Sequence, residues 1–371
     1  MTATPLEQRV LTSTVLQLVP KIEAVRLGGT DVSLVHDITP YVQMGGSYIS
    51  RNVHDPLGGV ATLMVNEDAL EYFSPSKHFI KITMTLLDVL GGESITRPMG
   101  VYLPQPTTRS IDPQIAIEMP CVDIASLLDN DMTASFSTVP NEQAQYAIRR
   151  AYQASGCPLP LTLPVIDYIF SDYLSEVWLA SDEITWLDCI NDMLRSTGNI
   201  GIYSDRNGDL TSKPYYFINE VSPIWDFNEA SGVSINSGIE YNYWDIPNRW
   251  TGIANQQDFL DQLDMSTYTL TNEKVGRSSF EETGRWKDRT FNVDAVTRAA
   301  LEQQVLWRAQ LDQQVAMRVR IENTINLLFW VGDVVSLNLP SIGLSDQRGV
   351  VSDWTIPFDS LTMDIEVEVP A

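Results

Sequence analysis

Residues 181–213 read SDEITWLDCINDMLRSTGNIGIYSDRNGDLTSK, a helical pattern followed at once by a hairpin pattern. Ser181 or Asp182 can cap the start of the helix, and Gly198 is placed to end it in the left-handed conformation. The helix is predicted over 185–196 because five apolar residues recur at spacings of three and four and share one face: Trp186, Leu187, Ile190, Met193 and Leu194.

The hairpin follows directly. Residues 200–204 and 210–213 are strand candidates, and the sequence between them, DRNGD over 205–209, is rich in the residues that tight turns require. Its alternating Asp, Asn and Asp also resemble the first ligands of a calcium loop. The glycine stands at the fourth position of that loop instead of the sixth, and no glutamate follows at the twelfth, so the pattern favours a turn.

Upstream of this segment, residues 1–125 have the pattern of antiparallel β structure. Residues 22–27 and 32–35 alternate in character around a Gly-Gly pair, which predicts a hairpin. Prolines then mark a connection that cannot be a central strand: Pro104, Pro106 and Pro113. Further short strands are expected at 48–53, 60–65, 79–87 and 95–103, and this spacing is typical of a barrel or sandwich.

The last third returns to β structure with one helix inside it. A helix is predicted over 293–314 with Ala299, Ala300, Val305, Leu306 and Ala309 facing inward, and 315–322 alternates apolar and charged residues as a half-buried strand does. The other strands are expected at 239–244, 249–254, 334–339, 348–356 and 361–369.

These patterns predict a mainly β protein with an α insertion, of the α+β class. We expect three regions: a first β-barrel over 1–125, a helix-rich insertion with a β-hairpin over 126–225, and a second β-barrel with one long helix over 226–371. These regions are called below the first β unit, the middle region and the second β unit.

Composition narrows the classes of function. The 371 residues include 48 Asp and Glu against 24 Lys and Arg, a formal charge of -24, which argues against a clamp on nucleic-acid phosphates. A hydrophobic content of 44% indicates a globular chain. Neither a membrane span nor a secretory signal is visible, so we expect a soluble protein made in the cytoplasm, with its three scattered cysteines reduced.

No catalytic, cofactor or metal motif stands out. His36, His54 and His78 all lie in the first β unit with no motif around them, and the Gly-Gly pairs precede no helix and no Gly-Lys-Ser/Thr. The sequence therefore predicts no cofactor, no metal and no enzymatic activity.

Two clusters are candidate sites. Acids concentrate between Arg150 and Arg195, where a glycosidase pair is one interpretation and a solvated acidic or channel-lining face is the favoured one. Aromatic residues concentrate at 225–250, where a sugar platform competes with a sheet core or a subunit interface. The acidic candidates are Asp167, Asp172, Glu176, Asp182, Glu183, Asp188 and Asp192, and the interface or glycan candidates are Trp225, Tyr241, Tyr243, Trp244 and Trp250.

The order of the motifs resembles that of phage tail hub proteins. Residues 181–194 running into 202–210 are similar to the acidic cap, Trp-Leu helix and aromatic-Asp-x-x-Gly hairpin of that family. Residues 243–250, YWDIPNRW, resemble the Asp-x-x-Asn strand that follows in it. The closing barrel of that family, which has a Val-Gly-Asp-Val turn, is resembled by three consecutive segments: the late helix, the strand 315–321, and residues 330–337, WVGDVVSL.

The resemblance implies two tail-tube-like barrels in each chain and three chains in a pseudo-sixfold ring. Such a ring joins the tail tube, or a distal tail protein, to a central spike or fibre, with the tape measure protein as a further contact. It implies a virion protein of the tail tip or baseplate, with DNA only as passing cargo and no membrane insertion by this chain.

Three hypotheses follow. The leading one is a trimeric, non-enzymatic hub whose acidic bore repels DNA phosphates, although the charge also serves solubility. A carbohydrate- or receptor-binding tail component that uses the aromatic cluster at 225–250 is the alternative. A tail-associated hydrolase that uses the acids at 167–192 ranks third.

Overall fold

A computed structural model gives the fold, which is mainly antiparallel β with few helices, as the sequence predicts. None of the described helices is long and apolar enough to cross a membrane. The structure describes residues 4–13, 15–28, 31–55, 57–106, 117–167, 169, 177–181, 184–214, 218–229, 239–241, 246–254, 266–276, 278–293, 298–313 and 317–370.

The described residues of the first β unit form seven strands and two short α-helices. In order these are α1 (Pro5–Leu11), β1 (Leu16–Gly28), β2 (Asp31–Asp37), β3 (Val42–Asn52), β4 (Gly59–Val65), α2 (Ala69–Tyr72), β5 (Phe79–Asp88), β6 (Ser94–Pro104) and β7 (Ile117–Asp123). The predicted β1–β2 hairpin is confirmed. Strand β7 was not predicted from the sequence: it pairs along β4 even though Pro120, opposite Thr62, interrupts its row of backbone donors.

In the part of the middle region that the structure describes there are two α-helices and five short strands. These are β8 (Phe136–Ser137), α3 (Ala144–Ser155), β9 (Leu161–Thr162), β10 (Val177–Trp178), α4 (Trp186–Ser196), β11 (Tyr203–Ser204) and β12 (Leu210–Thr211). Helix α4 and the β11–β12 hairpin confirm the prediction, and Gly198 has a φ of +78° just after the helix. The predicted cap was wrong: Thr185, in a capping box with Asp188, begins α4 instead of Ser181 or Asp182.

Nine strands are described in the second β unit. Its elements are β13 (Asp226–Asn228), β14 (Ile239–Tyr241), β15 (Arg249–Ala254), β16 (Thr267–Thr271), α5 (Phe280–Thr283), β17 (Asp288–Val293), α6 (Arg298–Gln313), β18 (Met317–Thr324), β19 (Val334–Leu339), β20 (Leu344–Pro357) and β21 (Thr362–Val369). The predicted start of the long helix at 293 was wrong, because Val293 ends strand β17; the described part of the helix runs from Arg298. Leu306 is 48% exposed instead of inward. Ala299 and Ala300 have side chains outside the described set.

A single sheet connects the two β units. Its strand order is β14-β18-β21-β20-β3-β4-β7-β6-β5-β1-β2, and β19 pairs with both β13 and β20. The connection is the antiparallel pair β20–β3, which places Trp354 opposite Arg51. Strands β15, β16 and β17 form a separate sheet beneath α6.

Three apolar clusters follow this arrangement. The largest contains side chains of both β units, from Val10 to Val369, so burial in one unit depends on the other. A second cluster lies mainly in the middle region, and a small third one surrounds Trp250 under α6. The predicted boundaries near residues 126 and 226 stay a prediction.

Candidate functional site

Arg51 lies at the centre of a buried polar cluster where the three regions meet. Its side chain is 3% exposed and that of its ion-pair partner Asp123 is 1% exposed. Its Nη1 donates to the carbonyl oxygen of Ser204 at 2.8 Å and its Nη2 donates to the Ser204 hydroxyl at 2.8 Å. The Asp123 carboxylate accepts from the same hydroxyl and, through Oδ1, from Ala125 N, both at 2.8 Å. One ion pair thus joins β3 and β7 to the middle hairpin.

Arg206 extends this cluster from the tip of the hairpin. The carboxylate of Asp205 accepts from Asn207 N at 2.7 Å, and Gly208 adopts a φ of +89°, so the turn is closed by local bonds. The Arg206 guanidinium can therefore reach the second β unit, where it donates to the carbonyl oxygen of Phe329 at 2.7 Å. Burial lowers the pKa of Arg206 to about 10.

The ring of Trp330 receives both arginines. The Cζ of Arg51 is 4.9 Å from its centroid and that of Arg206 is 4.6 Å away. Trp330 is 7% exposed, so these cation–π contacts occur away from water, where they are strongest.

Lys213 and the Val-Gly-Asp-Val turn complete the cluster. Lys213 Nζ donates to the Gly332 carbonyl oxygen at 3.1 Å, and Gly332 has a φ of +77°. Asp333 accepts from Trp330 N at 2.7 Å. Burial raises the pKa of Asp333 and lowers that of Lys213, and in each case the opposite charge of the other residue opposes the shift. We call these side chains the charged junction: Arg51, Asp123, Ser204, Arg206, Lys213, Trp330 and Asp333.

The charged junction brings together two of the segments that carry the resemblance. The hairpin 202–210 and the turn 330–337 are more than 100 residues apart in sequence, yet Arg206 bonds directly to the carbonyl before Trp330. Sequence reasoning treated 205–209 and 331–334 as turns and assigned no partner to their charges. The only available signal was a charged residue inside each turn.

His54 forms a second contact between the β units, near the cavity described below. Its Nε2 lies 2.8 Å from Oε1 of Glu368 on β21, and Glu368 also accepts from Arg318 at 3.2 Å. The hydrogen bond to Glu368 raises the pKa of His54, although burial and Arg318 oppose that shift.

The predicted acidic candidates do not form one described site. Asp167 is exposed, Asp188 belongs to the capping box of α4, and Asp192 is exposed and accepts from Trp178 Nε1 at 3.3 Å. The remaining four lie outside the described residues: Asp172, Glu176, Asp182 and Glu183. A channel-lining role for the seven stays a prediction.

The aromatic candidates are also separated. Trp250 is 0% exposed beneath α6 and donates through Nε1 to Asp312 at 2.8 Å. The interface or glycan role of the aromatic candidates stays a prediction. Trp225 is half-buried against the large core. The backbone of Tyr241 pairs in β14, its side chain is outside the described set, and Tyr243 and Trp244 lie outside the described residues.

Among the described residues, no group of three or more His, Cys, Asp or Glu side chains could hold a metal ion. Cys121 and Cys189 are buried, Cys157 is half-buried, and none of these three described cysteines is in a disulfide. Burial raises the pKa of the Cys121 thiol to about 12, which suppresses its thiolate.

The arrangement of the strands can be compared with solved structures. The 43 kDa tail protein of prophage MuSo2 from Shewanella oneidensis superposes with a TM-score of 0.60 at 13% identity, over 95% of this chain and 99% of that one. The tail protein from Neisseria meningitidis MC58 gives 0.63 at 11% identity, over 94% and 96%. This chain has the fold of phage tail proteins. The resemblance predicted from the motif order is therefore confirmed at the level of the fold.

Two further solved structures match this fold. The PdpA-VgrG complex of Francisella matches with a TM-score of 0.57 at 7% identity, over 96% of this chain and 58% of that chain. The prophage tail protein gp18 from Listeria monocytogenes EGD-e matches at 0.57 and 10% identity, over 94% of each. No protein-family model and no curated protein sequence matches the chain.

Proposed function

We propose that this protein is a non-enzymatic structural component of a phage tail, or of a related spike-bearing apparatus, and that it acts as the hub of the tail tip or baseplate. The observation that carries the proposal is the match of nearly the whole chain to tail proteins of nearly the same length, 95% of this chain to 99% of the MuSo2 protein.

The internal architecture suits such a role. A hub must keep two tube-like units in fixed relative positions while other proteins bind on both faces. Here the β3–β20 pair, the shared core and the charged junction connect the units by three different kinds of contact. We infer that three such chains form a pseudo-sixfold ring that joins the tail tube or distal tail protein to the central spike or fibre.

Electron microscopy of the purified, assembled protein tests this function. The expected result is a threefold ring with two β units per chain around a central opening. If the protein stays monomeric at concentrations at which tails assemble completely, the proposed function as a hub is contradicted. Binding of a tail-tube preparation on one face and a spike preparation on the other would distinguish a hub from a peripheral tail protein.

The passage of DNA through the ring is a separate element of the proposal. Replacement of Asp167, Asp172 and Glu176 together by their amides removes three candidate charges without affecting Asp188 and Asp192, which bond within the chain. We expect slower DNA delivery by assembled particles, because a less negative bore repels phosphates less. Unchanged delivery would argue against an acidic lumen at these residues and would leave the ring untouched.

The carbohydrate-binding alternative would rest on the other aromatic candidates, because the Trp250 side chain is 0% exposed. A glycan-binding measurement on the isolated chain separates it from the hub, which should show no saturable binding. Zymography on cell-wall material tests the hydrolase hypothesis in the same way.

A further inference from the structure

A cavity of about 360 Å³ lies beside the charged junction, and its lining is unusually cationic for so acidic a chain. Residues from β3, α4, α6 and the 331–332 turn surround it, and its cations include Arg195, Lys213 and Arg308. The volume is within the range of about 300–1,000 Å³ that small-molecule sites occupy.

Two of these cations have no counter-charge. Nearly every described arginine makes an ion pair or a side-chain hydrogen bond. Of the described arginines, three make neither through their guanidinium, namely Arg149, Arg195 and Arg308. Two of the three line this one cavity. The Nε of Arg308 is also buried without a hydrogen-bond partner in the protein, a state that costs free energy unless a ligand or a water molecule in the cavity supplies the acceptor.

The carboxylates of the cavity do not neutralise these arginines. Asp312 accepts from Arg289 at 2.5 Å and from Trp250 Nε1 at 2.8 Å. Glu368 is bonded to Arg318 and His54. The third, Asp55, uses one oxygen to accept from Leu57 N at 2.8 Å in an exposed turn.

From this geometry we propose that the cavity is a binding site for an oxyanion, a phosphate or carboxylate group, held by Arg308 and Arg195. The planar guanidinium fork matches two oxygens of such a group and does not match a spherical chloride equally well. The ligand would contact α4 and α6 at once, and so would fasten the small sheet under α6 to the middle region.

Calorimetric titration of the isolated chain tests the site, with sodium phosphate and sodium acetate as probes and sodium chloride at matched ionic strength as the reference. We expect saturable binding of at least one oxyanion and an increase of the unfolding midpoint with its concentration. Binding of phosphate alone would assign a phosphate site, and binding of acetate would assign a carboxylate site. Saturation by neither, beyond the effect of chloride, would overturn the proposal.

Arg308→Gln is the test variant, because Arg195 also lies in the last turn of α4, where its charge favours the helix dipole. We expect about tenfold weaker binding of the oxyanion, because the variant loses one hydrogen bond from a charged donor. Arg149→Gln is the matched control: it removes an equally unpaired arginine, on α3, that does not line the cavity, and it should bind like the wild type.

If Arg308→Gln and Arg149→Gln weaken oxyanion binding equally, the effect comes from the net charge of the protein, and the proposed site is refuted. Arg308→Lys keeps the charge but loses the planar guanidinium, so it should bind with intermediate affinity. This variant also shows whether weaker binding by Arg308→Gln comes from the lost contact or from a folding defect. Because binding is measured on the isolated chain, a negative result leaves the assembly proposal intact.

Discussion

Removal of the Arg51 side chain should destabilise the protein far more than removal of an ordinary surface charge. Arg51→Met deletes three donated bonds, two to Ser204 and one to Asp123, and leaves the Asp123 carboxylate 1% exposed with only a hydroxyl and one amide as donors. The loss of one partner of a buried ion pair costs about 3–5 kcal/mol, because the remaining charge is uncompensated. Arg9→Met is the matched control: Arg9 pairs with Glu93 at the surface and should change stability little.

The assay is urea denaturation followed by tryptophan fluorescence, with hydrogen exchange as the local readout. Exchange should increase in the 203–211 hairpin and the 330–334 turn, the two segments that the junction connects. Asp123→Asn keeps an acceptor for Ala125 N and completes a double-mutant cycle with Arg51→Met. The double variant should lose about 1–3 kcal/mol less than the sum of the single variants, because neither charge is then left alone.

The reasoning is refuted if Arg51→Met is no more destabilising than Arg9→Met, or if the losses of the two single variants simply add. Additivity would mean that the pair contributes no mutual stabilisation and that the cost arises from packing alone. Increased exchange spread evenly over the chain would contradict the local role of the junction.

Two further perturbations test other contacts. Gly208→Ala should lower the free energy of unfolding by about 2–4 kcal/mol, because its φ is +89° and a Cβ would lie 2.7 Å from the buried side chain of Val101. Gly343→Ala is the control: its φ is +78° but its surroundings are open, so it should lose only about 1–2 kcal/mol. Equal losses in thermal denaturation would contradict the close packing at Gly208. The raised pKa of His54 means that its bond to Glu368 stabilises the fold fully below the unfolded pKa of about 6.5 and is lost as pH rises through the higher folded pKa. In the wild type the unfolding midpoint should therefore decline as the pH rises between these two pKa values, and His54→Gln should reduce that decline. An unchanged pH profile in the variant would show that His54 does not cause the decline.

Much of the local structure could be predicted because it depends on neighbouring residues. The apolar face of α4 and the turn chemistry of 205–209 each lie within a few residues, and both predictions hold. The cap was misassigned for a similar local reason: the sequence offers several capping residues in a row, and Thr185 prevails because Asp188 closes a reciprocal box with it. No strand is predicted over 117–123 because the prolines at 104, 106 and 113 indicate a connection there, whereas β7 forms through its pairing with the distant strand β4.

The candidate site could not be predicted because it depends on contacts between distant residues. Arg51 looks like any outward charge at the end of a strand, and its burial arises only when Asp123, the Ser204 hairpin and Trp330, all distant in sequence, close around it. The burial of Trp250 depends on a distant contact in the same way. An aromatic residue in a short strand fits an exposed platform equally well until α6 covers it.

The charged junction is better explained by specificity than by stability. Buried ions lose hydration, and an apolar cluster of the same shape is often as stable as a buried ion pair. An apolar surface, however, would let the hairpin rotate or slide against the β units with little loss of burial. The hydrogen bonds of Arg51 and Arg206 have fixed directions, toward Ser204 and toward the 328–329 carbonyls, so only one placement of the hairpin satisfies both. A subunit that presents matched surfaces to different neighbours requires such a unique placement. The proposed role as a hub therefore explains why the junction is charged.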